Sequence, residues 1–194
     1  MTIVHLSHKK ISSYLGTVQE IRDISHHALK QFRRAGVLLS TFVQDRKIYF
    51  FSVQLGREDE FIRDFGGHIE TFLYEHPIEA AWREFTEESL GVFNEYIREE
   101  DVLNAPVYFN QDNLYILLNV NLPGALTRWD QEFQKRLTQL PPHAPMCLRE
   151  TRRIMYIARR TVLAKLNMTH HVKIHSVYVG PSLWKTLRML AFQL

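Results

Sequence analysis

Three glutamates, Glu84, Glu87 and Glu88, stand three and four residues apart within the stretch PIEAAWREFTEESL at residues 77–90. On a helix such spacings place the side chains on one face, one above another. Like charges crowded in this way repel and raise one another's pKa. A hard divalent cation relieves the crowding. Mg²⁺ takes oxygen ligands, keeps several waters, and is held by a few carboxylates together with the phosphates of a substrate. The pattern therefore points to phosphate chemistry, with a solvated acidic helix face as the plain alternative.

The element that must carry these glutamates is readable. Pro77 suits a first helical position, Ala80, Ala81, Trp82, Phe85 and Leu90 supply an apolar face, and Gly91 ends the run. Ahead of it lies DFGGHIE at residues 64–70, whose glycine pair permits close approach of the backbone.

Taken together, Gly66, Gly67, His68, Ile69, Glu70, then Glu75, then Arg83-Glu84-Phe85-Thr86-Glu87-Glu88, then Gly91 and Val92 resemble the signature box of the Nudix hydrolases, G-x5-E-x7-R-E-U-x-E-E-x-G-U with U aliphatic. Glu75, seven intervening residues and Arg83-Glu84 keep the spacing. The chain departs in three places: two extra residues separate Gly67 from Glu75, Leu90 is an extra residue before Gly91, and Phe85 stands at an aliphatic position. Loops before a helix absorb insertions more readily than helix interiors, so the glutamate face is expected to be intact.

The resemblance implies an α/β fold, an α/β/α sandwich with a mixed sheet and added C-terminal helices. It implies a Mg²⁺-dependent pyrophosphohydrolase, with Mn²⁺ as the substitute ion, cleaving the diphosphate linkage of a nucleoside diphosphate derivative. Metal would be held by the Gly66 carbonyl with Glu84, Glu87 and Glu88. The same three glutamates and Arg83 form the catalytic set, with Glu84 the first choice to take a proton from water and Arg83 orienting the carboxylates. Glu70 would contribute through water, and Glu132 or Glu150 would supply a late ligand or base. Gln54 and Arg57, at the end of a strand approaching the box, would face the substrate; a guanidinium matches phosphate geometry. Capped RNA and a free nucleotide are both open as substrates. The competing reading is a non-catalytic Nudix-scaffold module that binds nucleotide or RNA. Homodimerisation is compatible with either.

Length and composition set bounds. The chain of 194 residues suits one domain: an N-terminal extension at 1–34, strands and box at 35–122, and a basic helical segment with a closing strand and helix at 123–194. Hydrophobic residues at 45% argue for a packed globule rather than disorder. No apolar run approaches the roughly 18 residues of a membrane span. The start, MTIVHLSHKKISS, lacks the layout of a signal peptide, so a cytoplasmic protein is expected. Cys147 is the single cysteine, which excludes an intramolecular disulfide and reads as an idle thiol. His5, His8, His26 and His27 show no metal-site spacing.

Charge is divided unevenly. From residue 131 onward 11 lysines and arginines face only Glu132 and Glu150, whereas the first 130 residues carry 13 basic and 19 acidic side chains. Such an excess invites a polyanionic partner. Residues 148–167 are expected to form a long helix on which Arg152, Arg153, Arg159 and Arg160 share a side. Arg152 and Arg159 are accordingly the candidate contacts to RNA or polyphosphate.

The remaining elements follow from local pattern. Residues 35–57 read as an antiparallel hairpin around a turn at 44–47, and VYFNQDNLYILLNVNL as a second hairpin through 110–113. Tyr108 and Phe109 there are core aromatics before they are base-stacking ones. Residues 95–104 are expected to connect. TRWDQEFQKRLTQL is a helix stopped by PPHAP, VKIHSVYVG a strand, and PSLWKTLRMLAFQL a closing helix.

Overall fold

The computed structural model describes residues 13–165, 167–168 and 172–191. His5 and His8 lie outside them. Strand β1 (Ser13–Thr17) leads into helix α1 (Val18–Arg22), then the hairpin β2 (Arg34–Val43) and β3 (Arg46–Leu55), β4 (Glu60–Arg63) and β5 (Phe65–His68). Helix α2 (Pro77–Ser89) and short α3 (Glu99–Leu103) precede a second hairpin, β6 (Pro106–Asn110) and β7 (Asn113–Asn119). Helix α4 (Thr127–Gln139), β8 (Thr151–Ala158), α5 (Arg159–Leu163), a small hairpin β9 (Lys173–Ile174) and β10 (Val177–Val179), and α6 (Pro181–Ala191) complete the order.

The sheet is mixed. β2 pairs antiparallel with β3 and parallel with β7, and β10 pairs parallel with β4. Both expected hairpins form, closed by two-residue turns; Gln44 and Asp45 take positive φ of 48° and 60°, the twist that suits a two-residue hairpin. Two apolar layers cover the sheet. Phe85 and Ala81 of α2, with Trp129 and Phe133 of α4, pack on one face, and Val162 of α5 with Leu183, Trp184 and Leu187 of α6 pack on the other. The expected α/β class with a mixed sheet between helical layers is what the chain forms.

The expected long helix at 148–167 does not form. Residues 151–158 are strand β8, paired antiparallel with β3 from Ile48 to Gln54, and among the described residues of this span only Arg159–Leu163 are α-helical. Ile154 packs into one apolar layer and Met155 and Ile157 into the other. A strand buried on both faces is a continuous apolar run whose period cannot be told from that of a helix. The shared basic side of Arg152, Arg153, Arg159 and Arg160 disappears with the helix. Nearer the N-terminus, α1 is followed by a 3-10 turn at His26–Leu29.

One junction positions the site. At Asp64 the chain leaves β4, which pairs with β3, and enters β5, which pairs with β2. Gly36 and Gly66 face each other across β2 and β5. A Cβ on Gly66 would lie 2.7 Å from the Gly36 Cα, so only glycine allows this approach.

Candidate active site

Helix α2 begins at His76, whose Nδ1 accepts from the Ile78 N–H at 3.2 Å while the Glu79 carboxylate accepts from the His76 N–H at 3.3 Å. Nε2 of the same ring lies 3.1 Å from the Ile24 carbonyl, so it carries the proton. The reciprocal pair is a capping box with histidine in place of serine or threonine. The helix ends before the extra residue: Leu90 takes the left-handed conformation at φ 51°, and Gly91 follows at φ 66°. Nη1 of Arg136 donates to the Leu90 carbonyl at 3.0 Å, placing positive charge at the helix C-terminus. The insertion therefore falls outside the helical register of Glu84, Glu87 and Glu88.

The two extra residues before Glu75 are looped out as a 3-10 turn, Thr71–Leu73, closed by Tyr74 at φ 55°. Beyond it the chain returns to the fold. Glu75 accepts from the Glu70 N–H at 2.8 Å and from one edge of the Arg83 guanidinium, Nε at 2.8 Å and Nη2 at 3.1 Å. Arg83 also donates to the His68 carbonyl at 3.0 Å and to Glu84 at 2.9 Å, and it reaches Glu87 at 3.5 Å. One guanidinium thus ties the inserted loop to two glutamates of the helix. Burial works against the Glu75 carboxylate, but the Arg83 and Glu70 hydrogen bonds hold its pKa below the usual range.

Glu88 is the most enclosed of the three, 5% exposed. Its carboxylate accepts from the Gly66 N–H at 3.1 Å, from Ser52 Oγ at 3.3 Å and from the Gln54 side-chain amide. Burial pushes its pKa well above the carboxylate range, and the charges of Asp64 and Glu84 push further. Asp64, also buried, is raised by burial against the pull of Arg34. Burial likewise raises Glu84, with Arg83 opposing and Glu87 and Glu150 adding to the rise. Carboxylates in this condition favour either protonation or a cation.

Glu84, Glu87 and Glu88 line a cleft of about 510 Å³ together with Arg34, Arg63, Glu70, Cys147 and Glu150. Of the residues expected from sequence, the structure brings Gly66, Arg83, Glu84, Glu87, Glu88, Gln54 and Glu70 to this cleft, and Glu150 rather than Glu132. Glu132 lies on α4, where it accepts from Arg136 at 3.4 Å. Arg57, Arg152 and Arg159 are not brought to it. Arg57 is exposed in the turn between β3 and β4; Arg152, also exposed, begins β8; Arg159 opens on the opposite face of the sheet, beside Tyr49 and Lys47.

Three residues escaped the sequence reading. Nη2 of Arg34 donates to the Gly66 carbonyl at 3.1 Å, the oxygen expected to face a metal. Arg63 lines the cleft with a buried Nε that has no hydrogen-bond partner among the described residues. Asp64 lies buried at the junction behind them. Strand pairing carries Arg34 opposite His68, a proximity to which no local spacing refers.

The donor set fits a hard ion, since the carboxylates and the Gly66 carbonyl offer oxygen only. Among the described residues no three His, Cys, Asp or Glu side chains converge on one point as a ready cage. Mg²⁺ does not require one, because water and substrate phosphates complete its shell.

Comparison with known proteins adds little to this geometry. No protein-family model matches the chain, and no curated protein does. Among solved structures it is similar to a C. elegans Ap4A hydrolase in a binary complex, at 14% identity and a TM-score of 0.46, over 84% of this chain and 97% of that one. A likeness this loose assigns neither family nor activity.

Proposed function

We propose that the chain is a Nudix-type, divalent-metal-dependent pyrophosphohydrolase acting on the diphosphate linkage of a nucleoside diphosphate derivative. The observation that carries the reading is the buried Glu88, crowded by Asp64 and Glu84 beside an arginine clamp that joins Glu75, Glu84 and Glu87. A solvated acidic helix face would have left these side chains in water. A divalent ion held by Glu84, Glu87, Glu88 and the Gly66 carbonyl would neutralise diphosphate charge and acidify a water. Arg34 and Arg63 offer guanidinium donors to phosphate oxygens from the cleft wall, the role expected of Arg57. Arg83 fixes the direction of Glu84 and Glu87, and Gln54 with the Gly66 N–H fixes that of Glu88. Glu84, whose pKa burial raises, is suited to take a proton from the attacking water.

One observation favours the second reading, a nucleotide-binding module without turnover: Arg34 already occupies the Gly66 carbonyl. The test between them is product analysis. Purified protein is incubated with nucleoside diphosphate sugars, dinucleoside polyphosphates, free nucleotides and capped RNA, with Mg²⁺, Mn²⁺ or chelator. Metal-dependent cleavage between two phosphorus atoms supports the enzyme; stabilisation by nucleotide without any product supports the module.

A further inference from the structure

On the face of the sheet opposite the cleft lies a second cavity, of about 130 Å³, between the sheet and helices α5 and α6. Its walls are mostly apolar, with Leu38 and Leu117 from the sheet, Val162 and Leu163 from α5, and Leu187 and Leu190 from α6, beside the polar Ser40 and Asn119. Two cations, Lys47 and Arg159, open onto it. Neither has a carboxylate within ion-pair distance among the described residues. The recess continues past Pro106 and Asn119 towards Glu100 and Asp101, but those acids are held by Arg98, at 3.8 and 2.8 Å.

The two cations lie half-buried at the mouth of this cavity. Lys47 is depressed from the ordinary lysine range first by burial and then by the charge of Arg159. Tyr49 gives partial relief, its ring 5.6 Å from the lysine ammonium and its side chain beside that of Arg159. An aromatic ring does not cancel two positive charges. What complements two uncompensated cations at the edge of an apolar chamber is an anion carrying an apolar body.

We infer that this cavity is a second binding site, for a small amphipathic anion whose carboxylate or phosphate head meets Lys47 and Arg159 and whose hydrocarbon or single-ring body fills the chamber. The size is decisive for the body. A cavity of about 150 Å³ holds benzene, so one slightly smaller admits a chain of about six carbons or one ring, not a long acyl chain. The inference does not depend on the hydrolase reading, since the site shares no residue with the cleft. Arg159, expected from sequence to contact a polyanionic substrate, meets its anion here instead.

The test is a thermal-shift titration of the full chain with hexanoate, hexyl phosphate, inorganic phosphate and hexylamine, beside the double variant Lys47→Gln/Arg159→Gln. Backbone amide spectra would locate any response. The two hexyl anions distinguish the head: saturable stabilisation of several degrees by either, with shifts confined to β2, β3, β7, α5 and α6, is expected. Inorganic phosphate and hexylamine should stabilise at least tenfold more weakly at equal concentration. The double variant removes a like-charge contact together with the Lys47 and Arg159 contacts to Tyr49 at the cavity mouth and leaves the apolar lining in place, so it should fold, show native circular dichroism and lose the hexyl-anion response. Equal stabilisation by hexylamine, a response retained in the double variant, or no response to either hexyl anion would overturn the inference.

Discussion

Gly67 sits against the glutamate helix so closely that one methyl group should separate folding from chemistry. A Cβ at that position would lie 2.3 Å from Cδ, Oε1 and Oε2 of Glu84, where ordinary contact begins near 3.4 Å. The backbone of Gly67 lies outside the left-handed region, so alanine itself is allowed. The carboxylate must therefore retreat by roughly 1 Å, a misplacement that costs about 10²-fold in rate. The displaced group loses its 2.9 Å bond to Arg83. A hydrogen bond to a charged group contributes about 1.5–3 kcal/mol at most, and alanine for glycine restores about 0.4–1 by stiffening the unfolded chain. Gly67→Ala should thus lose about 0.5–2.6 kcal/mol of stability while kcat/KM falls about 100-fold. Denaturant melts give the first quantity and steady-state cleavage of the best diphosphate substrate the second. A folded variant with wild-type kcat/KM would refute the placement of Glu84 at the reacting centre. Gly66→Ala is the contrast: its Cβ meets backbone, the Gly36 Cα and the Ala35 carbonyl, so stability should fall by about 1–3 kcal/mol or more.

Arg63→Ala and Arg34→Ala should raise KM about tenfold or more each, since both side chains line the cleft, and Arg34→Ala should also lower the melting temperature because it removes the donor to the Gly66 carbonyl; an unchanged KM in both would remove arginine from substrate binding. Phe85, fully buried against Phe65, Trp82 and Phe93, should cost about 3–5 kcal/mol when replaced by alanine, measured by urea unfolding. In chelator the pH dependence has a definite sign. Glu88 and Asp64 are raised in the folded state, so that state binds more protons than the unfolded chain across the window from their folded values down to the unfolded carboxylate range. The melting temperature of the metal-free protein should therefore rise as pH falls through that window, and Glu88→Gln should flatten the rise. A wild-type curve that falls throughout the window would contradict the buried-carboxylate account.

The helix of the site was legible because its signals were local and agreed with one another: proline at its start, glycine after its end, and apolar residues at helical period between them. The insertions were legible as insertions, since Tyr74 and Leu90 take left-handed turns outside the glutamate register. Strand β8 was not. Ile154, Ile157 and Ala158 fall at helical spacings, and only the pairing with β3 decides that residues 154 and 155 face opposite layers. The choice of arginines failed for a related reason. Arg57 is near the box in sequence but lies on a turn, whereas Arg34 arrives through its pairing with His68 and Arg63 through the neighbouring strand β4. Glu150 and Glu132 could be separated only by the fold, because each was a lone acid in a basic segment.

The most direct measurement is turnover of wild-type protein and Glu87→Gln on one nucleoside diphosphate derivative, titrated with Mg²⁺. Glu87 bears on one ion pair with Arg83, at 3.5 Å and partly exposed, so the variant should keep its fold and melting temperature. The account predicts cleavage that requires Mg²⁺ in the wild type and falls at least 100-fold in the variant. Mg²⁺-independent cleavage, or wild-type turnover by folded Glu87→Gln, would contradict it.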